Sequence, residues 1–239
     1  MYVSGFVVPV PADKKAEYTD IAQRFWEIAK DYGAILDVEA WEVSVPEGKV
    51  TDLRRAVDLK EGEKVVFSWV GWRDKATADA SHETMMADER MKSFGEDMPF
   101  DGKRMIYAGF EPIMDLGSKD GKFGYVDGMV AAVPTANREA YLEHARTAAD
   151  AFMRNGATRL VECWGVDVTD GKVTDFKRAV QARDDETVVF SWIEWPDQAT
   201  SEKGMAALME DPAMANMEMP FDGQRMVFGG FEPIVNERA

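Results

Sequence analysis

Glu39 and Glu162 occupy matching places in two strand-like segments, Val38-Glu39-Ala40-Trp41 and Val161-Glu162-Cys163-Trp164. Side chains along a strand alternate between its faces. Val38 and Ala40 therefore share one face, and Glu39, Trp41 and Val43 the other. The second segment sets Val161 and Cys163 against Glu162, Trp164 and Val166. The small apolar set suits packing under a helix, which directs Glu39 and Glu162 toward the space between two sheets. A carboxylate there is costly unless it is hydrogen-bonded, paired or protonated. Held in such a way, it can act as a general acid or base. The competing reading is structural, an ion pair of each glutamate with Arg55, Arg178, Arg104 or Arg225.

Asp127 lies on a strand with Tyr125 and Met129. It can share that space and form a carboxylate pair with Glu162, or stand solvated at the strand start. Its counterpart is Ser4, so the two segments are not chemically equivalent. Arg55 and Arg178 stand beside Asp52 and Asp175. An arginine fork holds a carboxylate or phosphate ligand in two bonds, and it can equally pin its own loop. Trp41, Trp69, Trp72, Trp164, Trp192 and Trp195 are six of the seven tryptophans. Such rings are core or the wall of an aromatic pocket, with Trp41, Trp164, Trp69 and Trp192 the candidates for the wall. Ser68 and Ser191 lack the strained turn and the activating histidine of a serine nucleophile. Only His82 and His144 are present and neither is duplicated, which argues against a zinc, haem or histidine-based centre in both copies. Asp52, Asp101 and Asp222 stand in turns without a cation-binding loop pattern. No metal and no cofactor is expected; a small-molecule ligand is.

These residues recur because the chain is a tandem duplication. Met98-Pro99-Phe100-Asp101-Gly102 returns as Met219-Pro220-Phe221-Asp222-Gly223, and Gly109-Phe110-Glu111-Pro112 as Gly230-Phe231-Glu232-Pro233. The offset is 123 residues from Tyr2 and Tyr125 through Met91 and Met214, and 121 from the Pro-Phe-Asp-Gly block onward. Each copy reads as strand, helix, strand, strand, helix, strand. The first strands are 2–10 and 125–133, the first helices 13–32 and 137–155, the second strands 35–45 and 160–168. The third strands are 65–72 and 188–195, the second helices 76–91 and 200–214, the last strands 104–110 and 225–231. Gly33 and Gly156 stop the first helices, where a left-handed residue is wanted. Those helices have drifted: over 13–32 only Tyr18 and Ala22 match their counterparts before the closing region. The strands match far better, as does a polar excursion over 46–63 that carries Gly48-Lys49-Val50-Thr51-Asp52 and Arg55.

The order predicts a four-stranded antiparallel sheet with both helices on one face, a ferredoxin-like βαββαβ unit. The other face is bare, and the sibling copy is its cover. The fold class expected is α+β, with repeats at 1–115 and 124–239 and a linker at 116–123 forming an intramolecular dimeric α+β barrel, a pseudo-dimer. Further self-association is left open.

The 239 residues suffice for two such units, and 46% hydrophobic content suits a folded protein. A net charge of −16 repels phosphate backbones and anionic lipid, so neither nucleic acid nor membrane is an expected partner. No apolar run approaches a membrane span, the N-terminus lacks leader features, and the single cysteine cannot form an internal disulfide. A cytoplasmic protein is expected.

The blocks Gly171-Lys172-Val173-Thr174-Asp175, Glu186-Thr187-Val188-Val189-Phe190-Ser191-Trp192 and Met219-Pro220-Phe221-Asp222-Gly223 resemble the YbaA-like family, small bacterial proteins of unknown function in the dimeric α+β barrel superfamily. Tyr125-Val126-Asp127-Gly128 and Val161-Glu162-Cys163-Trp164 share the resemblance, which covers both copies. Copy one departs with Ser4 for Asp127 and Ala40 for Cys163. The resemblance implies a fused pseudo-dimer of a normally single-copy protein. Superfamily relatives include cofactor-independent monooxygenases, haem-degrading enzymes, isomerases and ligand-binding modules, so it names no reaction. Two functions are expected to compete: a binding protein or cofactor-free enzyme acting in an inter-sheet cavity, and a non-catalytic structural or interaction protein whose core is filled by side chains.

Overall fold

The computed structural model describes residues 1–92, 94, 98–211 and 217–239. Its strands are β1 (Tyr2–Pro11), β2 (Ala34–Ser44), β3 (Glu63–Trp72), β4 (Ile106–Gly117), β5 (Tyr125–Pro134), β6 (Arg159–Asp167), β7 (Glu186–Trp195) and β8 (Val227–Arg238). Its helices are α1 (Lys15–Ala29), α2 (Leu53–Ala56), α3 (Lys75–Met86), α4 (Glu89–Lys92), α5 (Arg138–Arg154), α6 (Phe176–Ala179) and α7 (Gln198–Glu210). The strands close one antiparallel barrel in the order β1-β3-β2-β8-β5-β7-β6-β4, with β4 returning to β1.

Local chemistry sets the element ends. Gly33 and Gly156 take the left-handed conformation after the first helices, with φ of 97° and 104°. Asp74 and Asp197 cap α3 and α7 by accepting the Thr77 and Thr200 amides. The last strands run beyond their expected ends, to Gly117 and Arg238, because their distal parts pair across the molecule, β4 with β6 and β8 with β2. Leu116 and Gly117, expected in the linker, are therefore strand. The expected helix 76–91 is broken between α3 and α4, and Met214, the expected end of the other second helix, lies outside the described residues.

The barrel interior is packed with aromatic rings. Phe67 stacks on its own counterpart Phe190 at 4.4 Å, and Trp69 on Trp192 at 4.5 Å. Phe110, Phe231 and Phe176 complete this layer. Gly128 is required beside it, since a Cβ there would stand 2.7 Å from the Phe67 ring. The rings leave room only for small side chains on β2 and β6, and Val38, Ala40, Val161 and Cys163 fill it. The expected facing of β2 and β6 is therefore reversed. The small apolar residues line the barrel, and Glu39 and Glu162 face outward under the helices. There a helix tyrosine donates to each carboxyl.

The polar excursions plug one end of the barrel. Leu53, Ala56 and Val57 from one, and Phe176, Ala179 and Val180 from the other, join the interior core. They lock reciprocally, the Thr51 hydroxyl donating to the Ala179 carbonyl at 2.7 Å and that of Thr174 to the Ala56 carbonyl at 2.6 Å. Among the described residues no helix is long and apolar enough to cross a membrane.

Candidate functional site

Tyr18 on α1 donates its hydroxyl to Glu39 Oε2 at 2.6 Å, and Tyr141 on α5 does the same to Glu162 Oε2 at 2.5 Å. Ser191 donates to the same Glu162 oxygen, and Ser68 bonds Glu39 in turn. Each half thus holds a buried tyrosine, glutamate and serine between its sheet and its first helix. All six residues are buried.

Burial is the dominant influence on both carboxyls and pushes them up to about 7, against the partial opposition of the tyrosine and serine donors. The tyrosine phenols are held well above their ordinary range, first by burial and then by the neighbouring carboxylate, so they remain donors. A carboxyl poised near neutrality with fixed donors on one oxygen can accept a proton and return it.

Strand register connects each glutamate to the surface. Tyr107, Phe6, Ser68 and Glu39 form one transverse row across β4, β1, β3 and β2. Phe228, Met129, Ser191 and Glu162 form the equivalent row in the other half. The outer ends are open, Tyr107 being 58% and Phe228 48% exposed. Phe6 stacks on Tyr107 at 6.3 Å. Each row runs from exposed aromatic through apolar to buried acid. Phe100 and Phe221, from the Pro-Phe-Asp-Gly turns, lean on Tyr18 and Tyr141 at 5.6 and 5.7 Å. Behind them Arg104 and Arg225 are committed to Glu63 and Asp101 and to Glu186 and Asp222, so neither pairs with a site glutamate.

The other candidates divide. Trp41 and Trp164 share the outer face with the glutamates, Trp164 lying 6.3 Å from Tyr141. Lys15 lies over Trp41 and Arg138 over Trp164. Trp69 and Trp192 are inside the barrel, away from the glutamates' face. Asp127 is on the outer face one row from Glu162, where it accepts from Trp195 Nε1 at 2.7 Å and Ser201 Oγ at 2.9 Å. Arg55 and Arg178 bond their own excursions, Arg55 to the Gly48 carbonyl at 2.8 Å and Arg178 to the Val173 carbonyl at 3.1 Å, and both are about half exposed. The structure does not bring them to the glutamates. Sequence reasoning missed the tyrosines as site members, although Tyr18 is one of only two matches between otherwise drifted first helices. It also treated Ser68 and Ser191 only as failed nucleophiles.

The profile of a family described as protein of unknown function, DUF1428, matches residues 1–102 and 124–223. The uncharacterized protein YbaA of Escherichia coli K12 is 56% identical over 114 residues, which is 48% of this chain and 97% of that protein. Among solved structures, an anthrone oxidase-like protein superposes with a TM-score of 0.56 at 14% identity, over 100% of this chain and 93% of its own. A candidate monooxygenase of Fusobacterium nucleatum gives 0.57 at 10% identity, over 99% of this chain and 94% of its own. At such identities these structures establish the fold alone: an α+β barrel of eight strands.

Proposed function

The chain belongs to the DUF1428 family of proteins of unknown function, and we propose from that premise that each half is a small-molecule site in which the buried glutamate exchanges a proton with its ligand. The two family matches support reading residues 1–115 and 124–239 as ferredoxin-like repeats, joined by 116–123, that close the barrel as a dimer within one chain. The observation that carries the function is the retention of Tyr18 and Tyr141, each bonded to its glutamate, in helices that have otherwise diverged. General packing does not require a hydroxyl over a buried carboxyl, and burying that pair is costly.

The transverse rows give the ligand class. An apolar body lies along Phe6 and Tyr107, or along Met129 and Phe228, and its polar end reaches Ser68 and Glu39, or Ser191 and Glu162. A phenol or an enolisable ketone fits. Glu39 or Glu162 takes the acidic proton, and the adjacent hydroxyls steady the charge that develops. The oxidase-like and monooxygenase-like structural neighbours support, by analogy of fold, an activated carbanion or phenolate as the species formed.

The packed aromatic interior favours a second reading, a non-catalytic scaffold, because it removes the inter-sheet chamber as a ligand site. Exchange of α-protons in D₂O across a panel of enolisable ketones, followed by NMR, separates the two. The expected result is faster exchange of at least one ketone with the native protein. A doubly substituted Glu39→Gln, Glu162→Gln protein should lose about 100-fold or more of that acceleration. If native and doubly substituted proteins exchange every ketone equally, the scaffold reading stands instead.

A further inference from the structure

Asp37 is the one fully buried carboxyl among the described residues whose two oxygens both lack a hydrogen-bond partner, and it is 0% exposed. It lies two residues from Glu39 on β2 and so shares the outer face beneath α1. The second half provides an internal control. The residue matching Asp37 is Leu160, buried in the same way, so the fold is built equally well with an apolar side chain there. An unpartnered buried carboxyl is costly, and packing alone does not call for one.

The surroundings define what would complete it. Across the β2–β8 seam Asp37 is registered with Glu237. Glu237 lines a groove of ≈ 290 Å³ together with Asp20, Gln23, Arg24, Trp26 and Glu27 of α1. Arg24 is engaged by Asp20 at 3.0 Å. Among the described residues the titratable groups that act on Asp37 or are acted on by it are Glu39, Glu237 and the Tyr18 phenol, with no cation among them. The groove therefore presents Asp20, Glu27 and Glu237, the ion-paired Arg24 and the Trp26 indole, beside the seam at which the buried Asp37 is registered with Glu237. A ligand with an ammonium group and an apolar body matches this in charge, hydrogen bonding and shape.

We propose that Asp37 makes the first half a site for organic amines, distinct from the second half, where Leu160 stands in its place. This deepens the proton-exchange reading of the Tyr18–Glu39–Ser68 site and rests on it. Burial first, and then the charges of Glu39 and Glu237, push the unliganded carboxyl well above its ordinary range and favour its protonated form. An ammonium ion entering at neutral pH displaces that proton to the buffer and leaves a carboxylate–ammonium pair. One proton is released for each amine bound, and no bond other than that O–H is broken.

Isothermal titration calorimetry with benzylamine, in buffers of different ionisation enthalpy, tests this on the whole chain. The expected result is one equivalent bound with release of about one proton, and binding weaker by about tenfold or more in Asp37→Leu. That variant copies the second half and should fold, with a thermal melt at least as high as the native protein's. Benzyl alcohol should bind without proton release. Absence of benzylamine binding, or binding and proton release unchanged in Asp37→Leu, overturns the proposal. If benzylamine binding survives Asp37→Leu but is lost in Glu39→Gln, the amine site belongs to Glu39, so the Asp37 assignment fails while the proton-exchange reading stands. Failure of the ketone-exchange experiment, with Asp37-dependent amine binding intact, is the converse pattern.

Discussion

Phe190→Ala is expected to destabilise the protein by about 3–5 kcal/mol, measured by urea unfolding. Phe190 stacks on Phe67 at 4.4 Å and also meets Phe110 at 5.2 Å, Phe176 at 5.9 Å and Trp192 at 6.1 Å. It thus joins both halves and one of the two excursions that plug the barrel. Strand pairing around it fixes the backbone on all sides, so the space left by the ring cannot close by collapse. The cost should fall at the upper part of that range. A loss below about 1 kcal/mol would mean that the interior is open and solvated, and the inter-sheet chamber would return as a ligand site.

Glu162→Gln should make stability less dependent on pH. The carboxyl is raised from its ordinary value to about 7 by burial, so the folded protein holds this proton where the unfolded chain has released it. Its contribution is intact below about pH 4.5, declines as pH rises, and is lost above about pH 7. At full ionisation the penalty is about 3 kcal/mol. The substituted amide would retain a carbonyl oxygen for the Tyr141 and Ser191 donors, both of which meet the same Glu162 oxygen. The expected outcome is near-native stability at about pH 5 and a gain approaching about 3 kcal/mol at about pH 8.5. Denaturant titrations at the two pH values check it. A loss of stability at the higher pH would show that Glu162 is ionised and well compensated.

Much of the fold was legible because the chain repeats itself. Glycine stops, prolines at strand ends and valine-rich alternation each occur twice, so a weak local signal gains an independent second instance. The facing of β2 and β6 was not legible. Alternation separates Val38 from Glu39 without saying which lies inside a closed barrel; that choice is made by Phe67, Phe190, Trp69 and Trp192, which occupy the interior from other strands. The lengths of β4 and β8 were equally hidden, since their distal pairing is with the other half. The glutamates could be named from sequence, but their partners could not be placed until α1 and α5 were laid on the outer face. Asp37 gave no signal at all, because the copy that would flag it carries leucine.

The central claim is that Glu39 and Glu162 are buried acids poised near neutrality, each under its helix tyrosine. Carbon-13 NMR of protein labelled at the glutamate side-chain carboxyl, titrated between about pH 4 and pH 9, tests it most directly. Two carboxyl signals should titrate at about 7, one lost in Glu39→Gln and the other in Glu162→Gln. Were both of those signals to titrate at about 4–5, as solvated glutamates do, the site would be contradicted.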